Sequence, residues 1–285
     1  MDPKLFALVT AICFGLNPVT LKIGFGRGGR PDTAMIVGLL VAVPLYLAML
    51  PLAGGPHLEL LTPAALIGFI LGGLFGTGIG RRWLYLAIDR IGASPATAIK
   101  NSAPVVSALL AAILFDEPVT PIRWAAIVAI VVGVGLVTWK PGKPVRSWID
   151  VGVLAAIGSA AAYGIRPLFL EFGLAAADLP LTSAVIGSVA ALAYGLTFGD
   201  RSGLRSIARE PAMGMFLLSG VLQSVGFLAL NYGLSGGIVS VVYPVTASAP
   251  LFTIGFTAML LRGQEALGPR TVVGALAVVA GVIAL

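Results

Sequence analysis

Along this chain apolar residues come in long runs, and the polar ones collect in short gaps between them. A helix crossing a bilayer needs about 20 mostly apolar residues. Punctuation by Pro, Gly and charge marks out ten such runs, at 5–25, 33–52, 63–86, 93–115, 121–139, 150–172, 180–198, 212–234, 238–261 and 268–285. The pattern predicts an all-α polytopic membrane protein of about ten transmembrane helices, with almost nothing left over for a soluble domain.

The two halves of the chain resemble each other. FGLNPVTLKIGF (14–25) lies over YGIRPLFLEFGL (163–174) at an offset of 149, and KNSAPVVSALLAAIL (100–114) lies over TASAPLFTIGFTAML (246–260) at 146. VVGVGLV (131–137) then lies over VAGVIAL (279–285) at 148, with a two-residue insertion near the charged turn at 116. The repeats are expected to divide at 1–146 and 147–285. Because each holds five crossings, the second copy enters the membrane from the opposite side, so the predicted architecture is two inverted five-helix repeats. The repeat also assigns the first span, despite Lys4 ahead of its apolar run, to the mature fold rather than to a cleaved signal.

Charge sharpens the topology. Of 285 residues 58% are hydrophobic and 11% charged, with a net charge of +6, and the mean hydropathy is +1.01. Lys and Arg gather in the connections after spans 1, 3, 5, 7 and 9, whereas the even connections hold essentially only Arg123. This is the positive-inside bias; it puts both termini outside and leaves no reason to infer a nucleic-acid partner. Arg81 and Arg82, near the predicted end of span 3, read as cytoplasmic anchors, and Lys22 as an end-of-span charge. The single cysteine, Cys13, excludes an intramolecular disulfide. The single histidine, His57, has no clustered ligands around it, so no metal site is expected. No nucleophile–base pair and no cofactor motif is legible. Gly72, Gly76 and Gly80 read as a small-residue packing face rather than a nucleotide loop.

Inverted repeats are the usual build of alternating-access carriers, whose sites lie at helices broken by Pro or Gly near the midplane. Proline leaves the carbonyl four residues earlier without its N–H partner. Pro18, Pro104, Pro167 and Pro250 are therefore expected to kink spans 1, 4, 6 and 9 and to free the carbonyls of Phe14, Lys100, Tyr163 and Thr246. On one face of span 4 lie Thr97, Lys100, Pro104 and Ser107; on the matching face of span 9 lie Tyr243, Thr246, Pro250, Thr253 and Thr257. These stripes are either two walls of one aqueous cavity or helix-to-helix glue.

The ten-span repeat, the FGLNPV and YGIRPL starts, the SAPV and SAPL kinks and the DEPVT turn (116–120) followed by GVGLV resemble the drug/metabolite transporter superfamily, specifically its EamA-type members. The resemblance implies a carrier of small metabolites, often amino acids and frequently exported, with a cavity lined by spans 1, 3, 4, 6, 8 and 9. It implies an integral protein of a bacterial-type inner membrane. Glu117, and its counterpart Glu265 in the second half, read as helix-end elements.

An intramembrane ionisable group is a functional candidate by default. Lys100 and Arg166 qualify, and no carboxylate occupies the middle of a span; the nearest, Glu171, lies towards the end of span 6. The cavity is thus expected to favour a substrate with a carboxylate or phosphate and to disfavour proton-for-cation exchange of the multidrug kind. Asn17, which stands where Arg166 stands in the other half, together with Tyr163, Gln223, Asn231, Tyr243, Thr97 and Thr246, would supply hydrogen bonds. The alternative for Lys100, about 10 Å deep at 1.5 Å per residue, is to snorkel to the surface. The competing class is a non-transporting scaffold in which the stripes pack without a cavity. The expected partners are the lipid bilayer and a small-molecule substrate, with the protein a monomer or weak oligomer.

Overall fold

The computed structural model describes residues 3–51, 54–114, 120–139, 149–199, 210–235, 242, 245–262, 265 and 267–285. Their helices are α1 (Pro3–Gly26), α2 (Pro31–Met49), α3 (Pro63–Ile91), α4 (Ala93–Leu114), α5 (Pro121–Thr138), α6 (Val151–Ala176), α7 (Pro180–Phe198), α8 (Met213–Ser235), α9 (Val245–Leu260) and α10 (Pro269–Ala284). Among them α1 to α8 contain stretches long and apolar enough to cross a membrane, and α9 and α10 are shorter apolar helices. Prolines open α2, α3, α5, α7 and α10, a position where the missing N–H would be orphaned anyway. Thr62, Thr120 and Asp150 each accept a hydrogen bond from the backbone N–H three residues on, capping α3, α5 and α6.

The packing obeys the inverted repeat. α1 packs on α8 and α9, and α6 on α3 and α4; α2 meets α7, and α5 meets α10. Single bonds recur at repeat-related positions. Thr10 donates to the Gly226 carbonyl at 3.2 Å, and Ser159 to the Gly80 carbonyl at 2.8 Å; 10 maps to 159 and 80 to 226 by the offsets of 149 and 146. Where α5 crosses α10, a Cβ on Gly133 would lie 2.6 Å from the Gly274 carbonyl, and one on Gly281 would lie 2.8 Å from that of Ala126. Glycine lets these backbones touch.

Two prolines interrupt helices and two do not. α4 breaks at Asn101 and Ser102 between Ala93–Lys100 and Ala103–Leu114, and α9 breaks at Ser248. Each break is tied by a serine donating three residues back, Ser102 to Ile99 at 2.7 Å and Ser248 to Val245 at 2.6 Å. Pro18 and Pro167, by contrast, lie inside continuous helices. Beside Pro167 the Gly164 carbonyl is taken by Ser107 of α4 at 2.7 Å, so a neighbouring helix meets a backbone group there.

Candidate functional site

Span 3 departs most from expectation. It runs five residues beyond the predicted 86, to Ile91, and stops where Gly92 adopts a φ of 98°. Its middle, Gly73–Gly80, is wound as a π-helix, and the Arg81 N–H reaches back five residues to the Gly76 carbonyl. Long π stretches are rare and mark functional sites more often than plain helix does. Four glycines permit this one to sit close to α6 and α7: a Cβ on Gly73 would fall 2.2 Å from the Gly187 Cα. On the α6 side Gly72, Gly76 and Gly80 face Leu170, Arg166 and Tyr163 in turn, which is the small-residue face read from the sequence.

Along this seam lies a cavity. Its walls are Thr77, Arg81 and Gly72–Gly73 of α3, Tyr163, Arg166 and Leu170 of α6, Ser183 and Ser188 of α7, Gln223 and Phe227 of α8, and Tyr46 of α2. Its solvent-accessible volume is about 40 Å³, room for a few waters, since one water needs roughly 10–15 Å³. A metabolite therefore requires the helices to part. No carboxylate is among these lining residues.

Both cations among the lining residues are arginines. Arg166 lies with its guanidinium carbon 5.5 Å from the Phe227 ring centre. Arg81 is only 6% exposed. It is ten residues from the end of α3, about 15 Å at 1.5 Å per residue, and so is no surface anchor. The expectation for Arg81 fails because the helix continues past 86. Tyr163, Tyr46 and Tyr85 stand around it, while its Nε and Nη1 have no partner among the described residues. Arg82, one residue on, turns instead to Asp32, which accepts from it at 2.7 and 3.2 Å. Lys100 does not stretch to the surface; its ammonium lies 4.8 Å from the Tyr163 ring centre, within cation–π range, and close enough to Arg166 for like charges to repel. Tyr163 is thus the common neighbour of Lys100 and Arg81.

The other expected ligands divide. Gln223 and Thr77, repeat equivalents, both line the cavity. Asn17 does not: its amide donates to the Ser219 carbonyl and hydroxyl at 2.8 and 2.9 Å, joining α1 to α8. Thr97 is buried and donates to the Ala93 carbonyl of its own helix. Thr246 lies two residues before the α9 break. Tyr243 and Glu117 lie outside the described residues, as does the side chain of Asn231. The α4 stripe faces α6 through Lys100 and Ser107, and on the α9 stripe Thr253 bonds within its helix while Thr257 accepts from Ser94. The described residues of these stripes touch neighbouring helices or their own, and the cavity lies among α2, α3, α6, α7 and α8. Small residues of α3 and α7 leave the space there, a signal present in the sequence as Gly72–Gly80 and SAVIGS (183–188).

The cavity occupies the half of the bundle towards the 2–3 and 6–7 connections, where α3 and α7 begin. The opposite end carries bonds between helices beside a second, more open cavity of about 270 Å³ lined by Lys22, Arg90, Gly92, Pro95 and Glu265. Lys22 donates to the Asp89 carbonyl at 2.7 Å, and Ser94 to Thr257 at 3.1 Å. The Glu265 carboxylate accepts from the N–H groups of Ala93 and Ser94, where a helix N-terminus favours negative charge.

Residues 3–139 and 150–285 each match the EamA-like transporter family. The chain is 29% identical over 133 residues to an uncharacterized protein of Pseudomonas aeruginosa, covering 47% of this chain and 44% of that one; the chain thus spans under half the length of this relative. A crystal structure of a protein 17% identical superposes with a TM-score of 0.61, over 99% of this chain and 95% of the other, a likeness of fold.

Proposed function

The chain belongs to the EamA-like transporter family, whose members are membrane transporters of small molecules, and from that premise we propose that it is a secondary carrier of small organic anions, exporting them by alternating access. The units that rock against each other are the bundle of α1, α8 and α9 and the bundle of α3, α4 and α6, each of which draws helices from both repeats, 1–146 and 147–285. The observation that carries this reading is a cavity at membrane depth with Arg81 and Arg166 in its wall, Lys100 against its Tyr163, and no carboxylate among its described lining residues. Charge-assisted hydrogen bonds from such a wall suit a carboxylate or phosphate. A proton-for-cation exchanger needs an acid in that place, and a scaffold has no use for an unfilled polar seam lined by cations.

Uptake into proteoliposomes tests this. Labelled organic anions are expected to move, lipophilic cations are not, and Lys100→Ala and Arg166→Gln are expected to slow the anions at least tenfold. Movement of cations without anions overturns the reading. A variant Lys100→Ala as active as its parent removes Lys100 from the substrate path.

A further inference from the structure

Resting on that carrier reading, we propose that Arg81 is the anchor for the transported anion, and that the site takes net-anionic organic acids in preference to zwitterionic amino acids of the same shape. Arg81 lies at the inner end of the cavity, 6% exposed, with Nε and Nη1 unpaired among the described residues. Buried polar groups are almost always hydrogen-bonded, and a charged donor left unmet is the costliest exception. The two orphaned nitrogens lie on different donor edges of the planar guanidinium, so an oxyanion docking on either edge meets an unpaired donor. Tyr163 stands beside the group, and the close approach of α6 to Gly76 and Gly80 fixes where Tyr163 stands. The guanidinium is therefore positioned before any ligand arrives.

The remaining wall says what else the ligand carries. Beyond Arg81 the cavity runs along α3 to Phe69, more than two helical turns away, and passes Leu170 and Phe227. An apolar substituent fits that end. An α-ammonium group would stand within a few ångströms of the carboxylate, hence beside Arg81, and the described lining residues include no acid to receive it. Coulomb repulsion at that range disfavours the zwitterion. Replacing the ammonium by hydrogen removes the conflict and leaves the anchor intact.

Thermal unfolding of the purified full chain in detergent, with 3-phenylpropionate and phenylalanine as probes, tests this, since the two share a skeleton and differ by the ammonium. 3-Phenylpropionate is expected to raise the melting temperature at concentrations at least tenfold below those phenylalanine needs. Phenyl phosphate, as a third probe, separates any oxyanion from a carboxylate. Stabilisation by it means that any oxyanion suffices, and its failure means that the carboxylate is required; both uphold the anchor. Ligand-free Arg81→Gln is expected to melt above the parent, because an unpaired buried charge has gone, and to lose the 3-phenylpropionate shift. Arg81→Lys, which keeps the charge without the fork, is expected to retain part of it. Equal binding of phenylalanine, a wild-type shift in Arg81→Gln, or a ligand-free Arg81→Gln that melts below the parent overturns the proposal. If liposomes bearing the parent move organic anions and those bearing Arg81→Gln move them equally, only the anchor falls. If the parent moves none, the carrier reading falls with it.

Discussion

The side-chain amide of Asn101 donates to the backbone carbonyl of Ala247 at 3.4 Å, across 146 residues of chain, and that separation equals the repeat offset, so two equivalent positions touch each other. The contact joins the break of α4 to the break of α9, on the axis that relates the halves. Asn101→Ala is expected to cost at most about 1 kcal/mol of stability, as befits one long hydrogen bond, and to slow transport by more than that loss explains. Paired melting and uptake measurements check this; unchanged turnover denies the two breaks a shared hinge role.

Gly73 and Gly76 separate packing from site. A methyl on Gly73 meets the Gly187 backbone, which cannot move aside, whereas one on Gly76 meets the flexible Arg166 side chain at 2.2 Å. Gly73→Ala is therefore expected to destabilise the protein by about 1–3 kcal/mol. Gly76→Ala is expected to leave the fold close to wild type and to weaken anion binding by displacing Arg166. Melting curves and binding titrations on the two variants should rank them in opposite order.

Glu265 holds the start of α4 by accepting from Ala93 and Ser94. Glu265→Ala is expected to lower stability by about 0.5–2 kcal/mol, the worth of an N-terminal cap. Gly92→Ala should cost more, because Gly92 has a φ of 98° and its added methyl would lie 2.7 Å from the Glu265 carboxyl carbon. Chemical unfolding of both variants checks the order.

Tyr163 offers a test within one side chain. Tyr163→Phe keeps the ring that Lys100 faces and removes the hydroxyl near Arg81. It is expected to weaken substrate affinity while leaving stability within about 1 kcal/mol of the parent, whereas Tyr163→Ala, losing the ring as well, should forfeit the cation–π contribution of roughly 0.5–2 kcal/mol too. Uptake assays read as KM and maximal rate distinguish the two.

Much of the architecture is legible from hydrophobic runs because a bilayer demands long helices whose backbone bonds are internal. The prolines marked four helices for a kink and the structure interrupts two of them, α4 and α9, while the helix that Glu265 caps lies 172 residues away, a pairing no local pattern reveals. The site is harder to read. Asn17 and Arg166 share a repeat position, yet one bonds Ser219 and the other lines the cavity, since α3 offers Gly76 where α8 offers Leu222. Arg81 was hidden because hydropathy ended span 3 early: RRWLYLAIDR (81–90) is amphipathic, and a polar face turned to an internal cavity looks like the membrane edge. The π winding ahead of it leaves no sequence mark beyond the glycines.

The bond from Glu265 to Ala93 spans 172 residues, and α1, α3 and α5 find their main partners in α8, α6 and α10. During synthesis the ribosome must finish nearly the whole chain before α4 acquires the carboxylate that caps it. The early helices therefore wait in the bilayer without their main partners until the late ones are inserted beside them.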